Sequence, residues 1–145
     1  MLSWKNALQI GQSFLNSPDF TTQMDIQKRE IYRAIAEIAY VVAKSDKGLS
    51  SEERIAFNKI IETELDYESW VAQSRFDLLD EVTQPSINEA YNEAINNFRK
   101  YKDNLTPELK EKALRVFIQV AETCGGFSEK EKFVIDRFKQ DLREM

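Results

Sequence analysis

Residues 43–53 read AKSDKGLSSEE, and residues 121–131 repeat the pattern as AETCGGFSEKE. The two stretches align without a gap, and each lies between two helical stripes of apolar residues. In both, a glycine precedes an apolar residue, a serine and, three positions later, a glutamate, which is typical of one helix ending and another beginning. The repeat predicts two helical hairpins of one design, with halves at about residues 22–65 and 106–144.

Apolar residues recur at helical spacing through the rest of the chain. Ile31, Ile35, Ile38 and Val42, for example, form one stripe. The predicted helices cover residues 3–16, 22–44, a segment after Ser50, 67–81, a segment from Pro85, a segment from Thr106-Pro107, and a segment after Ser128. Because no segment alternates with period two, the sequence predicts an all-α fold. We expect residues 1–145 to form one domain, a single compact bundle of about seven helices in two related halves.

The composition limits the classes of partner. The formal net charge is −5 and no basic patch is evident, so we expect no nucleic-acid partner. The most apolar stretch, residues 31–43, is interrupted by Arg33 and Glu37, and the first residues do not resemble a signal peptide, so no membrane insertion is expected. The single cysteine, Cys124, excludes an intramolecular disulfide and is interpreted as a small buried residue. These features predict a soluble, cytoplasmic protein.

The repeated turn has a purely structural interpretation. Ser50 and Ser128 are predicted to be N-caps, each in a capping box with the glutamate three residues later, and each worth about 1 kcal/mol. Gly48 and Gly126 are expected to adopt a left-handed backbone conformation. In this interpretation the motif only ends one helix and starts the next.

The second interpretation of the turn is a divalent-cation site. Asp46 at the end of one helix and Glu53 at the start of the next can converge on one ion, with Glu131 as the equivalent acid of the second copy. Carboxylate and carbonyl oxygens are the ligands that Ca²⁺ and Mg²⁺ prefer. The spacing is too short for an EF-hand loop, and zinc is disfavoured because the chain has no histidine.

The double pattern resembles the tellurite-resistance TerB family and its TerB-like domains. The positions that match are Ala43, Asp46, Leu49, Ser50 and Glu53 in the first copy, and Ala121, Gly125, Phe127, Ser128 and Glu131 in the second. The chain departs from the family at Lys47, where glycine is usual, and at Cys124, which replaces the aspartate. The resemblance implies a bundle of about seven helices in cytoplasmic bacterial proteins. It also implies acidic clusters suspected of holding divalent metal and a role in stress or tellurite resistance.

No catalytic apparatus is recognisable in the sequence. Histidine is absent, no glycine-rich phosphate loop occurs, and Cys124 would lack a histidine base, so we expect no enzyme. Together with the resemblance, which implies a role in a bacterial stress response, the sequence predicts a non-enzymatic TerB-like domain that binds Ca²⁺ or Mg²⁺ weakly through Asp46, Glu53 and Glu131. The alternative is a helical protein–protein interaction module or acidic adaptor without metal. A protein partner is expected in either case.

Overall fold

A computed structural model describes residues 20–123 and 128–145, and over these ranges the chain is all-helical. The α-helices are α1 Phe20–Asp46, α2 Ser51–Glu64, α3 Trp70–Asp77, α4 Ile87–Lys100, α5 Pro107–Thr123 and α6 Glu129–Arg143. A π-helical turn, Leu78–Thr83, continues α3, and a 3₁₀ turn, Lys102–Asn104, follows α4. The described ranges thus hold six α-helices, not about seven. The predicted helix at residues 3–16 lies outside them.

Helix α1 is the central element of the bundle. Every residue from 34 to 43 is buried, and α1 packs against α3, α4, α5 and α6. A helix that is covered on all sides needs apolar residues around its whole circumference, which explains the dense apolar run in this segment. Within the described part of the chain, no helix combines the length and apolar character needed to cross a bilayer.

Two groups of aromatic rings hold the outer helices together. Phe138 on α6 lies 5.0 Å from Phe117 on α5 and 5.2 Å from Phe98 on α4, measured between ring centroids. Phe57 on α2 lies 4.3 Å from Phe76 on α3. Edge-to-face and tilted ring pairs of this kind add to the free energy gained by burying apolar surface.

Arg54, at the fourth position of α2, links that helix to the end of α3. In a hydrophobic staple, the residue before the N-cap packs against an apolar side chain at this position of the helix. Instead, the guanidinium binds Asp80 at 2.8 Å and Asp77, and it lies 4.5 Å from the centre of the Phe76 ring. The structure thereby assigns Arg54 to an ion-pair network that joins the start of α2 to α3.

The segment from residue 67 to 81 differs from the single helix predicted there. Its α-helix, α3, is only eight residues long and changes to a π-helical turn at Leu78. Trp70 is 55% exposed and Leu78 is 39% exposed, although both are large apolar residues. The short helix buries Val71 and Phe76, and its other side stays in solvent.

The boundary of the next helix also differs by two residues from the prediction. Helix α4 begins at Ile87, not at Pro85, because Ser86 serves as its N-cap. The Ser86 hydroxyl accepts a hydrogen bond of 3.1 Å from the backbone N–H of Glu89. A serine three residues before an acid is the same start signal that the sequence uses after its two repeated turns.

Candidate functional site

The first repeated turn contains a complete capping box. The Ser50 hydroxyl accepts a 3.2 Å hydrogen bond from the N–H of Glu53, and the Glu53 carboxylate accepts one of 2.8 Å from the N–H of Ser50. This backbone hydrogen bond lowers the pKa of Glu53, since it favours the charged form. Gly48 has φ of +78°, and its N–H donates to the carbonyl of Ala43 at 2.7 Å, which closes the end of α1.

The second turn repeats this capping geometry at the start of α6. The Ser128 hydroxyl accepts from the N–H of Glu131 at 3.1 Å, and Glu131 accepts from the N–H of Ser128 at 3.0 Å. Glu131 is fully buried, and its Oε2 has no hydrogen-bond partner among the described residues. Cys124 and Gly126 lie outside those residues. The shared capping box is therefore observed, and the two-half repeat stays a prediction.

We expect Ser50→Ala to lower the free energy of unfolding by about 1 kcal/mol, because the N–H of Glu53 loses its acceptor. Ser51→Ala is the matched control, since Ser51 is exposed and is not the cap residue. Urea unfolding followed by circular dichroism measures both. Equal losses in the two variants would contradict the capping assignment.

The acids predicted to bind a cation are placed differently from one another. Asp46 is exposed at the last position of α1, whereas Glu53 and Glu131 each use one carboxylate oxygen in a capping box. Across residues 20–123 and 128–145, no group of three or more cysteine, aspartate or glutamate side chains is arranged to hold a metal ion. A cation site that uses these three acids stays a prediction.

Sequence reasoning missed a buried carboxyl group in the middle of α1. Glu37 is 1% exposed, its Oε1 lies 3.5 Å from the amide nitrogen of Asn97, and its Oε2 has no partner among the described residues. Burial raises the pKa of Glu37 to about 7, and the nearby charge of Glu93 adds to the rise, while Arg75 opposes it. The feature of the sequence that could have indicated this buried carboxyl group is a single acid within an otherwise mostly apolar run.

An open apolar groove lies where α4 and α6 pack beside the end of α1. Its volume is about 360 Å³, and its apolar walls come from Val41 of α1, Ile87 of α4, and Phe133 and Val134 of α6. Phe133 is 67% exposed and Ile87 is 38% exposed. We call this surface the α4–α6 groove. Concave, mostly apolar surfaces of this kind are typical binding sites.

Two cations lie at the edge of the α4–α6 groove. Lys130 and Arg137 both line it and are two turns apart on α6. Arg137 lies 4.0 Å from the centre of the Tyr91 ring, and within the described ranges neither cation forms an ion pair. Among the described residues, Glu129 is the one acid that lines the groove. The edge is therefore positively charged on a chain whose net charge is −5.

No protein-family model matches this chain, and no curated protein and no solved structure matches it either. The likeness to TerB domains accordingly stays an expectation drawn from the residues of the repeated turn. A helical bundle is compatible with many activities, so the surfaces of this one, and not its fold, carry the information about its function.

Proposed function

We propose that this chain is a non-enzymatic interaction module that binds an amphipathic helix of a partner protein in the α4–α6 groove. The observation that carries the proposal is the exposure of Phe133 and Ile87 on the two walls of one apolar concavity. Large apolar side chains grouped in this way mark protein-binding surfaces. Proteins commonly recognise a partner helix in such a groove, and the helix then inserts its residues i, i+3 or i+4, and i+7.

The charges at the groove edge support a partner helix with acidic flanks. Lys130 and Arg137 are available for ion pairs at two points separated by two helical turns. An acid on each side of the partner's apolar stripe would meet these cations, and opposite charges favour both encounter and orientation. This choice differs from the acidic adaptor that the sequence offered as an alternative, because the charge of the groove edge is opposite in sign to the net charge of the whole chain.

The experiment is selection of helical peptides from a displayed library with randomised apolar positions and acidic flanks, using the full chain as target. Binding of a selected peptide is then measured by calorimetric titration. We expect Phe133→Asp to weaken binding by about tenfold or more, since a central aromatic contributes strongly to such interfaces. Charge reversal by Arg137→Glu should weaken it as well.

Ile55→Asp is the matched control for the groove variant. Ile55 lies on α2 and is 72% exposed, close to the 67% of Phe133, but it does not line the groove. We expect this variant to bind the peptide like the unchanged chain. Failure to select any peptide, or a loss in Ile55→Asp with none in Phe133→Asp, would contradict the proposal.

Weak Ca²⁺ or Mg²⁺ binding, with the stress role that the TerB resemblance implies, is the second candidate. Its test is the melting temperature at millimolar cation, with Asp46→Asn as control, because an ion that binds only the folded state raises that temperature. The two candidates are separable, since the peptide-binding surface includes neither Asp46 nor Glu53.

A further inference from the structure

A second exposed apolar surface lies at the end of α3, in the π-helical turn that continues it. Val82 is 71% exposed there, and Leu78 is 39% exposed. The two residues are four positions apart, so they share one side of the helix. An acid directly precedes each of them in the chain. We call Asp77, Leu78, Asp80, Glu81 and Val82 the Val82 turn.

The Val82 turn carries an excess of negative charge. Its three carboxylates lie near two cations, Arg54 and Lys44. The Arg54 side chain is only 15% exposed and lies 4.0 Å from the carboxylate of Glu81, whose side chain is 68% exposed. The other cation of α3, Arg75, forms no ion pair within the described ranges, but it precedes Leu78 and lines the cavity beside Trp70, away from Val82. The surface around Glu81 and Val82 is therefore acidic.

The α4–α6 groove carries the opposite charge. Among the described residues that line it, two cations, Lys130 and Arg137, lie with one acid, Glu129. Asp141, one turn beyond Arg137, does not line the groove, and its carboxylate accepts a hydrogen bond from the Tyr91 hydroxyl. An acidic segment with exposed apolar residues is therefore complementary to this groove in both charge and polarity.

The Val82 turn and the α4–α6 groove lie at the same end of the bundle. Ile87 of the groove follows Val82 by five residues, which span at most about 18 Å. Ser45 also lines the groove, and the neighbouring Lys44 lies 3.7 Å from Asp80 of the turn. A surface that carries both members of a complementary pair can bind a copy of itself across a two-fold axis.

We propose that the partner of the α4–α6 groove is the Val82 turn of a second copy of this chain, in a symmetric dimer. This inference rests on the proposed function, since it uses the same groove and names its occupant. Val82 and Leu78 of one chain pack against Phe133 and Ile87 of the other, and Glu81 faces the cations of α6. Each chain gives its turn to the other, so the contact forms twice, and the second contact forms between chains that are already joined.

Sedimentation velocity of the full chain over a range of concentrations tests the proposal. We expect the average mass to rise with concentration from that of one chain towards that of two. Val82→Lys should raise the dissociation constant of the dimer about tenfold or more, because it removes an apolar contact and reverses the charge of the turn. Ile26→Lys is the matched control: Ile26 is also β-branched and 50% exposed, and it lies about 22 Å along α1 from Val41 of the groove.

Mixing two variants tests whether unlike surfaces meet. Phe133→Asp damages the groove and leaves the turn intact, whereas Val82→Lys does the reverse. Each should dimerise weakly alone, and an equimolar mixture should recover the dimer, because a mixed pair keeps one unaltered contact. Glu81→Lys is a second variant of the turn that keeps Val82, and Glu111→Lys, at an exposed position of α5, is its control.

A chain that stays monomeric up to about 0.5 mM would overturn the proposal. Equal losses in Val82→Lys and Ile26→Lys, or no recovery in the mixture, would overturn it too. Calorimetric titration with a selected helical peptide separates this result from the proposed function. Val82→Lys should bind that peptide at least as tightly as the unchanged chain, because its groove is intact. Peptide binding by a chain that never dimerises would overturn only the identity of the partner.

Discussion

Phe138→Ala should lower the free energy of unfolding by about 3–5 kcal/mol, the largest effect that we expect from a single substitution. The Phe138 ring is fully buried, and it contacts Phe98 of α4 and Phe117 of α5. Removing it leaves a cavity where three helices meet, and their backbones cannot close that cavity completely. Urea unfolding of the full chain, followed by circular dichroism at 222 nm, measures the change.

Phe133→Ala is the matched control, because Phe133 is on the same helix but is 67% exposed. We expect that variant to change stability by no more than about 0.5 kcal/mol, as is usual for surface positions. Helix propensity rises slightly in both variants, so it cancels in the comparison. Similar losses at the two positions would show that α6 does not pack as described.

Glu37→Gln should stabilise the protein more at pH 8 than at pH 5, by about 2–3 kcal/mol. The pKa of Glu37 is raised from its ordinary value of 4.5 to about 7. A carboxyl group with a raised pKa in the folded state favours folding below its unfolded pKa, and this contribution is lost as the pH rises through 7. Glutamine stays neutral at every pH and retains the shape of the side chain, so it removes that loss.

The measurement is the free energy of unfolding of the variant minus that of the unchanged chain, at several pH values between 5 and 8. The subtraction removes the contribution of all other titrating groups. Glu111→Gln, at an exposed position on α5, is the control and should give a difference that does not vary with pH. A flat difference for Glu37→Gln would mean that the Glu37 carboxyl group is not buried as the structure shows.

The capping boxes and the apolar stripe of α1 could be predicted from the sequence because their determinants are local. Ser50 and Glu53 are three residues apart, and their hydrogen bonds need only the geometry of one helical turn. The repeating apolar positions of α1 likewise follow from the period of the helix. The all-α class follows from the same two signals.

The exposure of Trp70 could not be predicted from its own segment. Its spacing from Val71 and Leu78 is compatible with a core position, but α3 ends after eight residues and buries only one narrow side. Glu37 is the opposite case, a charged residue type that is buried. Its burial depends on α3 and α4 covering α1, and those helices are distant from it in the chain.

The sequence by itself determined the helical class and the residues that cap α2 and α6, because hydrogen bonds and periodicity within a few residues specify these features. Only the tertiary structure decided which apolar residues stay exposed, that Glu37 is buried, and that Val41, Ile87 and Phe133 share one groove. Those properties depend on how α1, α4 and α6 pack, and packing arises from contacts between segments that lie far apart in the chain.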